Sequence, residues 1–318
     1  MTGEQKNKAP VFTLRQFVEA GGDRLKLDVV VDAGLDHPVI EPMMYRPGLA
    51  LTGFFGNFAH HRIQVVGKAE HAYLESLGKE ECLNRLRALF DNGAYCIVFA
   101  AGLPVSEEIQ AIAKSVGGTI LSSPLLTRNL FHAGTFVLET LSAPREKLYA
   151  TTVEVAGLGV MMRGAPGLGK SETALGLIKH GNALVADDLT CLRKDVANNV
   201  LYASASPATR NYMEIRGIGI IHVPSVFGVT AVREEKRLDL VITFKRMDDV
   251  NGELDRAGED RLVCDILGVS VAEIVIPVSA GRDLVNLVET AAQQHKLRAA
   301  GHDAAKELDE QLKRRALA

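Results

Sequence analysis

Between residues 11 and 130, apolar positions come in short runs closed by glycine or polar clusters, alternating with stretches whose apolar residues return at helical spacing. That alternation predicts strands and helices in turn. AYCIVFAAG at 94–102 is one such run, and SEEIQAIAKSVGG at 106–118 follows with a serine cap, early acids that suit the helix dipole and a closing glycine pair. TILSS comes next as a strand, so a βαβ unit is predicted here. Over 124–148, PLLTRNLFHAGTFVLETLSAPREKL, a helix gives way to a polar, proline-containing stretch, and a domain boundary is expected in this region. Two domains, 1–132 and 133–318, are assigned on this basis.

The second half is patterned differently. TTVEVAGLGVMMRG at 151–164 reads as two strands around a glycine-rich turn at 157–159, and MEIRGIGIIHVPSVFGVTAV at 213–232 reads as strands and tight turns. LDLVITF at 238–244 and VAEIVIPVSAG at 271–281 are further strands. After Gly281 the pattern is helical to the C-terminus, with Leu284, Leu287 and Val288 on one face. There is no internal repeat.

Composition narrows the function classes. A chain of 318 residues with 47% hydrophobic and 24% charged residues has the make-up of a soluble enzyme. Its net charge of -3 gives no reason to expect nucleic acid as the main ligand. Cys82, Cys96, Cys191 and Cys264 show no C-x-x-C spacing, which argues against a zinc knuckle or a disulfide framework. No apolar run approaches the roughly 18 residues of a membrane span, and MTGEQKNKAP at the start has no apolar core, so a cytoplasmic protein without a membrane partner is expected.

The chemistry concentrates in GAPGLGKSETALGLIKHGNALVADD at 164–188. Its first eight residues, Gly164, Ala165, Pro166, Gly167, Leu168, Gly169, Lys170 and Ser171, match the phosphate-binding pattern G-x-x-x-x-G-K-[ST] between an apolar strand and a helix former. In that pattern backbone N–H groups turn toward one anion, the lysine reaches the β- and γ-phosphates, and the hydroxyl ligates Mg2+. ALVA then returns as a strand ending at Asp187 and Asp188, which brings a carboxylate back to the phosphates for metal binding or for taking a proton from an attacking hydroxyl. The competing reading is a surface turn opened by two acids. Adjacent side chains alternate across a strand, so one of the two is expected to face the phosphate.

These residues resemble the HPr kinase/phosphorylase family. The resemblance rests on residues 164–188, on MEIRGIGII at 213–221, on RIQVVGKAEHAYL at 62–74, and on ELDRAGED and IPVSAGRDL near 253–260 and 276–284, all in the family's order. It implies an N-terminal α/β domain and a C-terminal P-loop kinase domain resembling the nucleotide-binding core of phosphoenolpyruvate carboxykinase. It further implies a homohexamer that phosphorylates a serine of the phosphocarrier protein HPr with ATP and Mg2+. The reverse reaction would use inorganic phosphate and release pyrophosphate. By the same resemblance Lys170 would grip the phosphates, Ser171 and Glu214 would hold Mg2+, and Asp188, with Asp187 beside it, would be base in one direction and acid in the other. Arg256 would be the catalytic arginine, and Met213 to His222 would serve both reactions. A kinase acting on another hydroxyl acceptor, or a nucleotide-gated regulator without turnover, are the alternatives.

Two positions depart from the family. Tyr149 and Ala150 align with its His-Gly pair upstream of the P-loop, and a tyrosine, with an ordinary pKa of about 10 against about 6.5 for histidine, does not shuttle protons at neutral pH. Ser279 and Ala280 replace an arginine and a proline in the loop tied to the reverse reaction. Kinase activity is therefore expected to survive better than phosphorolysis. Outside the motif, His60-His61 are read as surface or interface residues pointing opposite ways on a strand, and Arg233, Lys236 and Arg237 as a solvated run. Arg216 is expected to pair either with Glu214 or with phosphate.

Overall fold

The structure, a computed structural model, describes residues 12–249, 262–279 and 281–316. The chain divides into two compact units at the junction of Ala143 and Pro144.

The first unit runs α1 (Leu14–Leu25), β1 (Asp28–Asp32), β2 (Met44–Tyr45), α2 (Gly48–Leu51), β3 (Ile63–Val66), α3 (Lys68–Ser76), α4 (Lys79–Asp91), β4 (Cys96–Phe99), α5 (Glu107–Ser115), β5 (Thr119–Ser122) and α6 (Thr127–Ser142). Its sheet has the order β1-β5-β4-β3-β2, with β2 to β5 parallel and β1 antiparallel at the edge. The expected βαβ unit is β4-α5-β5. Ser106 caps α5 by accepting from the Ile109 N–H at 3.4 Å. Position 132 lies inside α6, whose Leu130, Val137 and Leu138 share a core with Leu14, Phe17 and Leu25 of α1, so the helix is part of the first unit. His60 and His61 precede β3 in a turn rather than sitting on a strand, and their rings come together at 3.8 Å.

Glu70, in the first turn of α3, joins three elements of this unit. Its buried carboxylate accepts from Arg46 at 2.9 and 2.8 Å and from the Gly67 N–H at 3.1 Å. Burial pushes its pKa up, but these donors outweigh burial and hold it below the ordinary glutamate value. The stability it contributes is present above the unfolded value and is lost as pH falls through the lower folded value. Glu70→Gln is expected to destabilise the protein by about 1–3 kcal/mol at neutral pH, with the gap to wild type in thermal unfolding narrowing below about pH 4.

The second unit runs β6 (Arg145–Tyr149), β7 (Thr151–Val155), β8 (Leu158–Gly164), α7 (Lys170–Lys179), β9 (Ala183–Ala186), β10 (Leu189–Asp195), β11 (Val200–Ala205), β12 (Tyr212–Ile215), β13 (Gly219–His222), α8 (Val223–Phe227), β14 (Glu235–Arg246), β15 (Leu262–Ile266), β16 (Val269–Val278), α9 (Leu284–Ala299) and α10 (Ala304–Ala316). The main sheet runs β6-β10-β11-β14-β8-β7-β9, with β16 beside β14 and β15 beside β16. Only β8, β14 and β16 run parallel to one another among these pairs. They form the floor under the P-loop. Val160, Met162, Leu240, Ile242 and Phe244 point from them toward Ala174 and Leu177 of α7 and Val288 and Ala292 of α9, forming one continuous core. The β-branched run 213–232 contains a helix that its pattern does not announce, α8, because Pro224 sits in its first turn, where the missing N–H has no helical partner to lose.

Candidate active site

β8 ends at Gly164 and α7 begins at Lys170, so residues 164–169 form a loop over the N-terminus of the helix. Gly164 stands at φ 149 and Gly167 at φ 84, which lets the loop fold tightly enough for the Lys170 ammonium to reach back along it. Lys170 Nζ donates to the carbonyls of Gly164 at 3.0 Å and Ala165 at 3.2 Å. Leu284, at the start of α9, closes the loop from the side, 3.6 Å from where a Cβ on Gly169 would lie.

The two aspartates part company at the end of β9. Leu189 N–H donates to the Asp187 carbonyl at 2.7 Å and Ala150 N–H to the Asp188 carbonyl at 3.1 Å, so the chain reverses at once into β10. Asp188 takes a left-handed conformation, φ 64, and its side chain is exposed. Asp187 is 5% exposed. Its Oδ1 accepts from the hydroxyls of Thr151 at 2.9 Å and Ser171 at 3.0 Å, and its Oδ2 from the Glu214 N–H at 3.2 Å. Burial raises the Asp187 pKa above the ordinary aspartate value, the three donors oppose that rise, and the charge of Asp188 adds to it.

Glu214 lies on β12, paired with Ile220 of β13, with its backbone on Asp187 and its side chain exposed. The hairpin is pinned by Met213 and Ile215, both buried in the main core. Tyr149 ends the edge strand β6, opposite Leu189, and is 85% exposed. Arg256 and Ala280 lie outside the described residues. Ser279 is exposed, and its carbonyl accepts from the Arg282 N–H at 3.3 Å, while the Arg282 guanidinium donates to the Pro277 carbonyl at 2.8 Å. The structure therefore brings Gly164 to Ser171, Asp187, Asp188 and the Glu214 backbone to one place, with Tyr149 at its margin. Thr151 is the residue that sequence patterning missed. Its signal was faint: a polar pair, Thr151-Thr152, fully buried in a strand whose other inward positions are valines.

Among the described residues no three His, Cys, Asp or Glu side chains converge on a common point. A serine hydroxyl beside one buried carboxylate nevertheless suits Mg2+, which keeps several waters and takes phosphate oxygens as ligands instead of an all-protein cage. A divalent cation there would favour the charged carboxylate and so oppose the rise that burial gives the Asp187 pKa.

Comparison with known proteins agrees with this architecture. The family model described as HPr Serine kinase N terminus matches residues 12–138, and that described as HPr Serine kinase C-terminal domain matches residues 140–312. A protein of Leptospira biflexa named HPr kinase/phosphorylase is 38% identical over 292 residues, 91% of this chain and 90% of that protein. One of Alkaliphilus metalliredigens with the same name is 37% identical over 267 residues, 84% of this chain and 86% of that protein. Among solved structures, the Hpr(Ser) kinase/phosphatase from Coxiella burnetii aligns with a TM-score of 0.47 at 32% identity, covering 51% of this chain and 98% of that one. Two family models in tandem and relatives this similar along nearly the whole length place the chain in the HPr serine kinase family.

Proposed function

We propose that this chain transfers the γ-phosphoryl group of ATP, with Mg2+, to a serine hydroxyl of the phosphocarrier protein HPr. In the reverse direction it dephosphorylates that serine with inorganic phosphate and releases pyrophosphate. The observation that carries the reading is the split at the end of β9: one carboxylate is buried against the P-loop serine, and its neighbour is open to an incoming alcohol. The names of the relatives supply the acceptor, HPr.

Each residue then has a task. The backbone of 164–169 and Lys170 hold the phosphates, the lysine exchanging its two carbonyl partners for phosphate oxygens. Ser171, Asp187 and Glu214 are the candidates to hold Mg2+, whose chemistry is to offset charge on the phosphate oxygens. Asp188 accepts the serine proton as the serine oxygen bonds to the γ-phosphorus and the bond to the ADP oxygen breaks. In reverse, a phosphate oxygen attacks the phosphoserine phosphorus while the Asp188 carboxyl gives its proton to the departing serine oxygen. Thr151 positions Asp187 and so Ser171. Arg256 is retained as a candidate for stabilising the transferring group. A homohexamer in the cytoplasm belongs to the same proposal; among the described residues no helix is long and apolar enough to cross a membrane.

Incubation of the full chain with γ-labelled ATP, with and without HPr, tests the reading. Label on HPr, lost when the acceptor serine is alanine, is expected. Label on a small hydroxyl compound in place of HPr selects the other-acceptor alternative, and tight ATP binding without transfer selects a regulator. Because Tyr149 and Ser279 stand where the family has histidine and arginine, phosphoserine-HPr with excess phosphate is expected to release pyrophosphate more slowly than the forward reaction runs. Equal rates in the two directions would remove that asymmetry.

A further inference from the structure

The turn of the β12-β13 hairpin carries Arg216, and its guanidinium does not lie where a local ion pair would put it. Its Nη1 and Nη2 atoms are 3.6 and 3.8 Å from the point at which a Cβ on Gly167 would stand, so the group rests against the crest of the P-loop. It is exposed and makes no ion pair or hydrogen bond among the described residues, although Glu214 is only two positions away, on β12. The hairpin that holds it is not free to drift. Ile218 N–H closes the turn on the Ile215 carbonyl at 3.0 Å, Met213 and Ile215 are buried, and Glu214 N–H is bound to Asp187 at 3.2 Å. The hairpin whose backbone binds the Asp187 carboxylate therefore also delivers an unpaired guanidinium to Gly167 of the loop.

We infer that Arg216 contacts the terminal phosphoryl group of the bound triphosphate, completing with Lys170 a two-sided cationic clamp. The inference rests on the function proposed above. The P-loop wraps the inner phosphates, so a cation over its crest faces the end of the triphosphate that leaves. A guanidinium suits that place because its planar fork donates two N–H groups to two oxygens of one phosphoryl group, whereas an ammonium offers a point charge. Arg216 makes no covalent bond and moves no proton. As the bond from the γ-phosphorus to the ADP oxygen breaks and the bond to the serine oxygen forms, it stays protonated and keeps donating to the equatorial oxygens. Lys170, on α7, and Arg216, on the hairpin, approach from different elements, so one cation holds the phosphate in the cradle while the other closes over it.

The test compares nucleotides that differ only in that phosphate. With the full chain and Mg2+, Arg216→Ala is expected to weaken binding of a non-hydrolysable ATP analogue by about tenfold or more while changing ADP binding by less than about twofold. Arg216→Lys should recover only part of the loss, because it restores charge without the fork. Phosphorylation of HPr should slow in Arg216→Ala with the KM for HPr unchanged, and the melting temperature should stay near that of wild type, since the buried anchors of the hairpin are untouched. Equal weakening of ATP and ADP analogues would overturn the inference, as would an effect confined to the Mg2+ requirement, which would make Arg216 a partner of Glu214. If wild-type protein binds no nucleotide, the proposed function itself fails; if wild type phosphorylates HPr and Arg216→Ala does so equally well, only this inference fails.

Discussion

Asp188→Asn is expected to lower kcat for serine phosphorylation by about 10^2- to 10^4-fold while leaving ATP affinity within about a factor of two of wild type. The exposed carboxylate of Asp188 is the one open to an alcohol, and the amide that replaces it takes no proton. Asparagine is the right substitution because residue 188 sits at φ 64, a left-handed position that asparagine tolerates and alanine resists. The loss then reports chemistry and not strain. Asp187→Asn should behave differently. Its side chain is enclosed by Thr151, Ser171 and the Glu214 N–H, so the change removes a charge beside the hydroxyl proposed for the metal. A raised Mg2+ requirement together with lost turnover is expected, read from initial rates across Mg2+ concentrations. If Asp187→Asn kept its Mg2+ dependence and lost only kcat, while Asp188→Asn were active, the two roles would have to be exchanged.

The different settings of these aspartates, one buried and one exposed, were half legible in the chain. Alternation across a strand says that one of two adjacent residues faces the loop, and the structure turns Asp187 inward. What alternation does not contain is the left-handed turn at Asp188, which arises because β9 must reverse directly into β10 against Ala150. The P-loop itself was legible because binding a phosphate demands glycines, a lysine and a hydroxyl at set spacing, whatever the rest of the chain does. Thr151 was not seen in the chain, and Arg216 was seen with two partners open, Glu214 or phosphate, for the same physical reason. Thr151 meets Asp187 only because β7 pairs antiparallel with β9, and Arg216 meets Gly167 only because a separate hairpin folds back on the loop. Both contacts join residues remote in sequence, and no local periodicity encodes them. In the first unit the caps and glycine stops around 106–118 marked α5 and its flanking strands closely. Around 132, by contrast, a helix continuing on apolar spacing to Ser142 gives no local sign of which unit its buried face will join.

Gly164→Ala is expected to destabilise the protein by about 2–4 kcal/mol and to weaken ATP binding at least tenfold. Gly164 is the last residue of β8, paired with Phe244 of β14, and its φ of 149 is a conformation that side chains rarely adopt. A Cβ there would stand 2.5 Å from the Phe244 carbonyl oxygen and 3.1 Å from the Phe244 Cβ. The first obstacle is backbone in a parallel ladder, so relief requires β8 to shift against β14. That shift moves the Gly164 carbonyl, which is one of the two groups holding Lys170 Nζ, and with it the first N–H groups of the cradle. Gly167→Ala is the control. Its φ of 84 carries the left-handed penalty of roughly 1–2 kcal/mol, but the nearest atoms to the added Cβ are the movable guanidinium nitrogens of Arg216 at 3.6 and 3.8 Å. Thermal unfolding and nucleotide titration should therefore separate the pair, Gly164→Ala losing more stability and more affinity. A Gly164→Ala protein that melts and binds ATP like the Gly167→Ala protein would mean that β8 can slide past Phe244 without cost, and that the cradle does not depend on the register of the strands beneath it.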